Sequence, residues 1–157
     1  FLNNFYDEKG IFYIAIDKKG KIEADSSDIL HMLFYLDKNQ LNEKMKKTID
    51  IIAKRLETRA GYRTLSFNDA KKISDNYHSE TIWPFEQAII HNGAYKFKLN
   101  RLMEVSKRIK NFIDEPYELM FEKNNFIEKG GNNVQLWSIA TQEYFKKYAD
   151  KSFLLLI

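Results

Sequence analysis

Ile82-Trp83-Pro84-Phe85-Glu86-Gln87-Ala88 opens the most legible helix of the chain. Proline holds φ near the helical value and has no N–H to leave unpaired, so Pro84 suits a first helical turn, and the helix continues to about residue 97. Glu86 falls inside that turn, where the helix dipole favours a negative charge. Working outward, four more segments repeat apolar residues at helical spacing. Downstream, 99–113 carries Leu102, Val105, Ile109 and Phe112, and 133–148 carries Leu136, Trp137, Ala140 and Tyr144. Upstream, 41–57 carries Met45, Ile49, Ile52, Ala53 and Leu56, with lysines on its other face. Segment 28–36, behind the capping serines Ser26 and Ser27, carries Ile29, Leu30, Leu33 and Phe34. Strand signals are confined to 11–16 and 62–65.

The connections alternate in length. Those at 37–40 and near Lys98 are short, whereas 10–27, 58–82 and 114–132 are long. Short connections make antiparallel neighbours, so the long ones emerge at a common end. Loops beyond about 12–15 residues are uncommon and usually functional. The expected fold is therefore all-α: one domain over 1–157, about five helices, at most short strands, and a working face of long loops at one end.

Composition narrows the function. The 157 residues are 44% hydrophobic and 30% charged, as in an ordinary globular protein. The 25 Lys+Arg against 22 Asp+Glu leave +3, too even a mixture to argue a nucleic-acid partner. The lysines of the second and fourth helices lie opposite the apolar stripe, as a solvated surface does. Without cysteine, disulfides, thiolate metal sites and cysteine nucleophiles are excluded. His31, His78 and His91 lack paired ligand spacing, and no phosphate-binding glycine loop or nucleophile elbow occurs, so neither metal nor cofactor is expected. No apolar run reaches the ~18 residues of a membrane helix, so no membrane partner is expected. The terminal Phe153-Leu154-Leu155-Leu156-Ile157 reads as a truncated core segment. The chain starts at Phe1 without Met and reads as N-terminally truncated, with a cytoplasmic location expected. Aromatics reach 15%, which suits a packed helical interior or a pocket that stacks on sugar rings.

The long loops hold the chemistry. Gly61-Tyr62-Arg63-Thr64-Leu65-Ser66 and Tyr77-His78-Ser79-Glu80-Thr81-Ile82-Trp83 gather aromatic faces, guanidinium donors and carboxylates, a mixture suited to polyols. Arg63, Tyr77, His78, Trp83 and Glu86 are the candidate substrate contacts. Pro116-Tyr117-Glu118-Leu119-Met120-Phe121-Glu122 sets two carboxyls among apolar neighbours, making Glu118 and Glu122 candidates for a raised pKa and acid–base work. Each also has a plain structural reading. Arg63 can cap a helix, His78 can be a satisfied loop histidine, Trp83 can be core, and both glutamates can be solvated loop charges.

Taken in order, these segments resemble the pattern G-x-R-T-L-S…Y-H-x-G-x-V-W-P-x-x-x-A of amylo-alpha-1,6-glucosidases, the C-terminal glucosidase part of glycogen-debranching enzymes. Phe5-Tyr6 to Asp17-Lys18-Lys19-Gly20 is similar to the family's segment before its substrate loop, and Gln135-Leu136-Trp137-Ser138 resembles its closing Q-A-W-S helix. Ser79-Glu80 stands where the pattern has a small residue and Gly, and Pro116 lies one position early.

The resemblance implies an (α/α)6 toroid of six helical hairpins, of which this chain would be a C-terminal fragment. It implies hydrolysis of α-glucosidic linkages by an inverting pair of carboxyls, with the general acid in an earlier hairpin outside this chain. Glu118 matches the place of the water-activating base, with Glu122 as the fallback. The implied partners are an α-glucan or oligosaccharide, and either the N-terminal remainder of the enzyme or a second copy of the chain. The rival reading is a non-catalytic glycan-binding or helical interaction module, or one part of a split enzyme.

Overall fold

The computed structural model describes residues 2–148. These residues are mixed α and β, which corrects the all-α expectation: eight α-helices are joined by antiparallel sheets of two and three strands. The toroid of hairpins, which required only helices and irregular loops, falls with it. Five helices overlap the periodic segments: α2 (Ser27–Tyr35), α3 (Glu43–Leu56), α6 (Pro84–Lys96), α7 (Asn100–Lys107) and α8 (Leu136–Tyr148). The other three are single turns, α1 (Leu2–Phe5), α4 (Phe67–Ala70) and α5 (Asn76–Ser79). After α7 the chain tightens into a 3₁₀ turn at Arg108–Asn111 instead of continuing to 113. The apolar run Phe153 to Ile157 lies outside the described residues.

The strands fill the connections read as loops. β1 (Ala15–Asp17) and β2 (Gly20–Ile22) form a hairpin whose turn is held by Asp17 Oδ1, which accepts from Lys19 N at 2.7 Å and Gly20 N at 3.1 Å. β3 (Thr81–Ile82) pairs with β4 (Leu119–Lys123), which pairs in turn with β5 (Phe126–Gly130). The β4–β5 turn places Asn124 and Asn125 at φ 49° and 66°, the left-handed pair that a two-residue hairpin turn demands and that Asn tolerates. Such short strands escape a periodicity search because consecutive apolar residues, as in Leu119-Met120-Phe121, carry no alternation.

Two cores hold the elements. Leu30, Leu33, Ile49, Leu56 and Ile90 are fully buried among α2, α3 and α6, and Ile82, Ile109, Met120 and Phe145 gather around β3, β4 and α8. Burying each such side chain stabilises by about 1.5–3 kcal/mol. The approach of α2 to α6 depends on Gly93, where a Cβ would lie 2.6 Å from Phe34 N. Lys96 Nζ completes that contact, donating to the carbonyls of Phe34 and Leu36 and so satisfying the C-terminus of α2.

Backbone hydrogen bonds draw the three long connections together. Ser27 N donates to Thr64 O and Thr64 N to Thr81 O, both at 2.8 Å, and Ser66 N donates to Asp25 O at 2.9 Å. Thr81 and Ile82 face Phe121 and Met120 across the β3–β4 ladder. Residues 25–27, 64–66, 81–82 and 119–123 therefore lie side by side, and they carry the candidate side chains on one small framework.

Candidate functional site

Glu118 immediately precedes β4, and its carboxylate accepts three hydrogen bonds, from α5 and from the segment after β5. Its Oε1 accepts from Tyr77 Oη at 2.5 Å, and its Oε2 accepts from both Asn132 N and Asn132 Nδ2 at 2.9 Å. The backbone sets this up, because Glu118 N donates to Asn132 O at 2.9 Å and Gln135 N to Pro116 O at 3.0 Å. Ser138 Oγ adds a bond to Tyr117 O at 2.6 Å, fixing the start of α8 on the same segment. The Tyr77 hydroxyl first, then the Asn132 N–H, hold the Glu118 carboxyl below its ordinary value, which corrects the raised pKa expected from its apolar neighbours: hydrogen bonds to the charged form outweigh burial. In return the carboxylate pushes the Tyr77 hydroxyl up.

Gly131 makes the clamp possible. Its φ is +70°, and a Cβ there would lie 2.5 Å from Glu118 Oε2. Only glycine lets the Asn132 N–H reach the carboxylate from that side. The Gly130-Gly131-Asn132-Asn133 run is the sequence signal for Asn132, which the reading of loop residues otherwise passes over.

Tyr77 also begins a row of rings. Its centroid is 5.3 Å from that of Trp83, Trp83 is 6.1 Å from Phe85, and Phe85 is 6.0 Å from Trp137. Tyr77 and Trp137 are each 40% exposed, leaving ring surface open to a ligand at both ends. Trp83, the residue before α6, is half-buried, between the core and contact readings. Phe85 and Trp137 lie within motifs of the sequence but are not among the candidate contacts, and their proximity in the fold brings them to the site.

Gln87 ties the Gly61 loop to α6. Its Oε1 accepts from Tyr62 N at 2.8 Å and its Nε2 donates to Tyr62 O at 2.9 Å. Gly61, at φ +139°, leaves room for that amide, since a Cβ would lie 2.4 Å from Gln87 Oε1. The next residue but one, Arg63, is thereby brought beside Glu80 and Glu122, whose charges oppose the loss of basicity that burial imposes on its guanidinium. Arg63 Nε is buried with no hydrogen-bond partner among the described residues. Glu122 lies farther along β4 and is not the carboxylate that Tyr77 addresses; its charge is felt by Arg63.

The remaining two candidates point elsewhere. His78 is exposed; its Nδ1 lies 2.5 Å from Asp75 Oδ2, and only its ring edge touches Tyr77. Glu86 is buried between α6 and α2, where Ser27 Oγ donates to its Oε2 at 3.0 Å and His31 Nε2 stands 3.8 Å away. Burial, aided by the charge of Asp28, pushes the Glu86 carboxyl up to about 8. Burial also depresses His31, so at neutral pH the pair is a protonated acid beside a neutral imidazole.

Among the described residues no group of three or more His, Asp or Glu side chains could hold a metal ion, and no helix is long and apolar enough to cross a membrane. The arrangement that remains is an ionised carboxylate held against the partly exposed ring of Tyr77, with Trp83 packed on that ring. It can accept a proton and offer a ring face. Neither a protein-family model nor a curated protein matches this chain.

Proposed function

We propose that the chain carries the base side of a glycoside hydrolase of the debranching type, which cleaves α-glucosidic linkages with inversion. In that reaction an acid protonates the leaving oxygen while a carboxylate on the opposite face takes a proton from water, the two carboxyls standing roughly 6.5–9.5 Å apart. The observation that carries the reading is the Glu118 clamp: a carboxylate held in one orientation by Tyr77 and Asn132, against the ring of Tyr77 on which Trp83 packs. A base must be ionised to accept a proton, and aromatic faces cover the apolar face of a pyranose. Glu86 keeps its proton but directs its carboxyl at Ser27 and His31, so the general acid is taken to come from outside this chain.

One observation favours a second reading, a non-catalytic glycan-binding module. Both Glu118 oxygens already accept hydrogen bonds from the chain, as the anchor of a loop would. The two readings share a ligand and differ in turnover. Calorimetric titration with a branched α-glucan, and with a single-stranded oligonucleotide as control, tests what they share. Glucan binding without oligonucleotide binding is expected; no glucan binding contradicts both.

A further inference from the structure

The segment 5–14 and the first turns of α2 line a cavity of about 200 Å³ that shares no residue with the Glu118 site. Buried Phe12, Ile29 and Met32 form its core side, and the half-buried rings of Phe5 and Tyr13 line it further out. The only charge in the lining is the exposed carboxylate of Asp28. That carboxylate accepts from Ser26 Oγ at 2.9 Å, and no cation of the described residues pairs with it. The charges that act on the Tyr13 hydroxyl have the same sign. It donates to Asp7 Oδ2 at 2.8 Å, and Glu23 adds a second negative charge to its surroundings. Lys21 answers them with its Nζ 4.8 Å from the Tyr13 ring centroid, so this ring already holds an ammonium of the chain itself.

We propose that this cavity is a binding site for a small methylated ammonium compound, its cationic head seated among the rings of Phe5, Phe12 and Tyr13 with Asp28 as counter-ion. Aromatic faces attract a cation within about 6 Å of the ring centroid, and grouped rings are the usual means of holding quaternary ammonium ligands. The apolar lining selects among cations. A primary ammonium would turn N–H donors toward Ile29 and Met32, which offer no acceptor, whereas a methylated one carries its charge with no donor to satisfy. Size agrees. A cavity of about 150 Å³ holds benzene, and a trimethylammonium head has fewer heavy atoms than benzene.

Titration of the full chain with choline, followed by calorimetry and by the methyl resonances of Ile29 and Met32, tests the assignment. The comparison ligands are ethanolamine, which lacks the methyl groups, and neohexyl alcohol, the uncharged isostere with carbon in place of nitrogen. Choline is expected to bind and to shift both sets of methyls, with each comparison ligand at least about fivefold weaker. Asp28→Asn keeps the side chain's shape and an acceptor for Ser26. It is expected to lose about three- to tenfold for choline while neohexyl alcohol changes by less than about twofold. Equal affinity for choline and neohexyl alcohol makes the cavity a plain apolar one and overturns the proposal. Choline that binds without moving the Ile29 and Met32 methyls, or that binds Asp28→Asn as tightly as the unmodified chain, overturns it too. So does the absence of choline binding.

Discussion

Tyr77 and Glu118, separated by 41 positions in the chain, meet at 2.5 Å between phenol oxygen and carboxylate. The contact joins two long connections, one leaving α3 and one leaving the 3₁₀ turn after α7. It also links the aromatic row to the only carboxylate that both Tyr77 and Asn132 address. Removing the phenolic hydroxyl alone leaves the ring in place and takes away the main cause of Glu118's depressed pKa. Tyr77→Phe is therefore expected to raise the Glu118 pKa, seen as an upward shift in a carboxyl-carbon NMR titration. An unmoved titration means the contact does not hold the charge.

Gly131→Ala tests the other side of the clamp. The new methyl meets both a left-handed backbone and the Glu118 carboxylate, so a loss of about 1–3 kcal/mol is expected in denaturant unfolding. Gly20→Ala is the comparison, since Gly20 also has positive φ but nothing lies within 4 Å of its added Cβ. It should cost less. Equal losses in the two variants would show that backbone strain alone matters at Gly131.

Gln87→Ala removes both hydrogen bonds that hold the Tyr62 backbone and leaves a buried N–H and a buried C=O unpaired. At about 1–3 kcal/mol for each orphaned group, the expected loss is on the order of 2–6 kcal/mol. Thermal unfolding that moves by less than the equivalent of one such group contradicts the tie.

Glu86 gives the fold a pH dependence of known sign. Its folded value of about 8 lies above the usual 4.5, so its contribution to stability is fully present below about pH 4.5 and declines as pH rises through 8. The span corresponds to on the order of 5 kcal/mol. Glu86→Gln keeps the contact with Ser27 and is expected to flatten that decline in unfolding measured from pH 4.5 to 9. Half-buried His31 acts in the opposite sense, withdrawing stability below about pH 6.5 where the unfolded chain takes up a proton, and that limb should survive in the variant. A decline that survives Glu86→Gln assigns it to other groups.

The long helices were legible because their apolar residues repeat over enough turns: Met45, Ile49, Ile52 and Leu56 leave little doubt about α3. The strands were less so. The signal at 11–16 overlaps the start of β1 and that at 62–65 meets only isolated bridges, while β3 has two residues and β4 begins with three apolar ones, so neither shows alternation. Tyr77, Trp83 and Glu118 could be singled out as residue types, yet their meeting depends on the β3–β4 ladder. His78 and Glu86 show the converse. They belong to the same motif as Trp83, but a helix of one turn carries the first to Asp75, and the rotation of α6 carries the second to α2. Asn132 was within reach through Gly131, since a glycine beside an asparagine marks a backbone that must come close to something.

The central claim, that Glu118 takes the proton from water, is tested most directly by hydrolysis of a branched α-glucan by the protein that carries this chain together with its general acid. Glu118→Gln, which keeps the shape of the side chain and loses its basicity, is expected to lower turnover by about 10²–10⁴-fold with glucan binding nearly unchanged. Glu122→Gln, at the carboxylate beside Arg63, is expected to leave turnover close to that of the unmodified protein. Full turnover in Glu118→Gln, or loss of turnover in Glu122→Gln alone, would contradict the assignment.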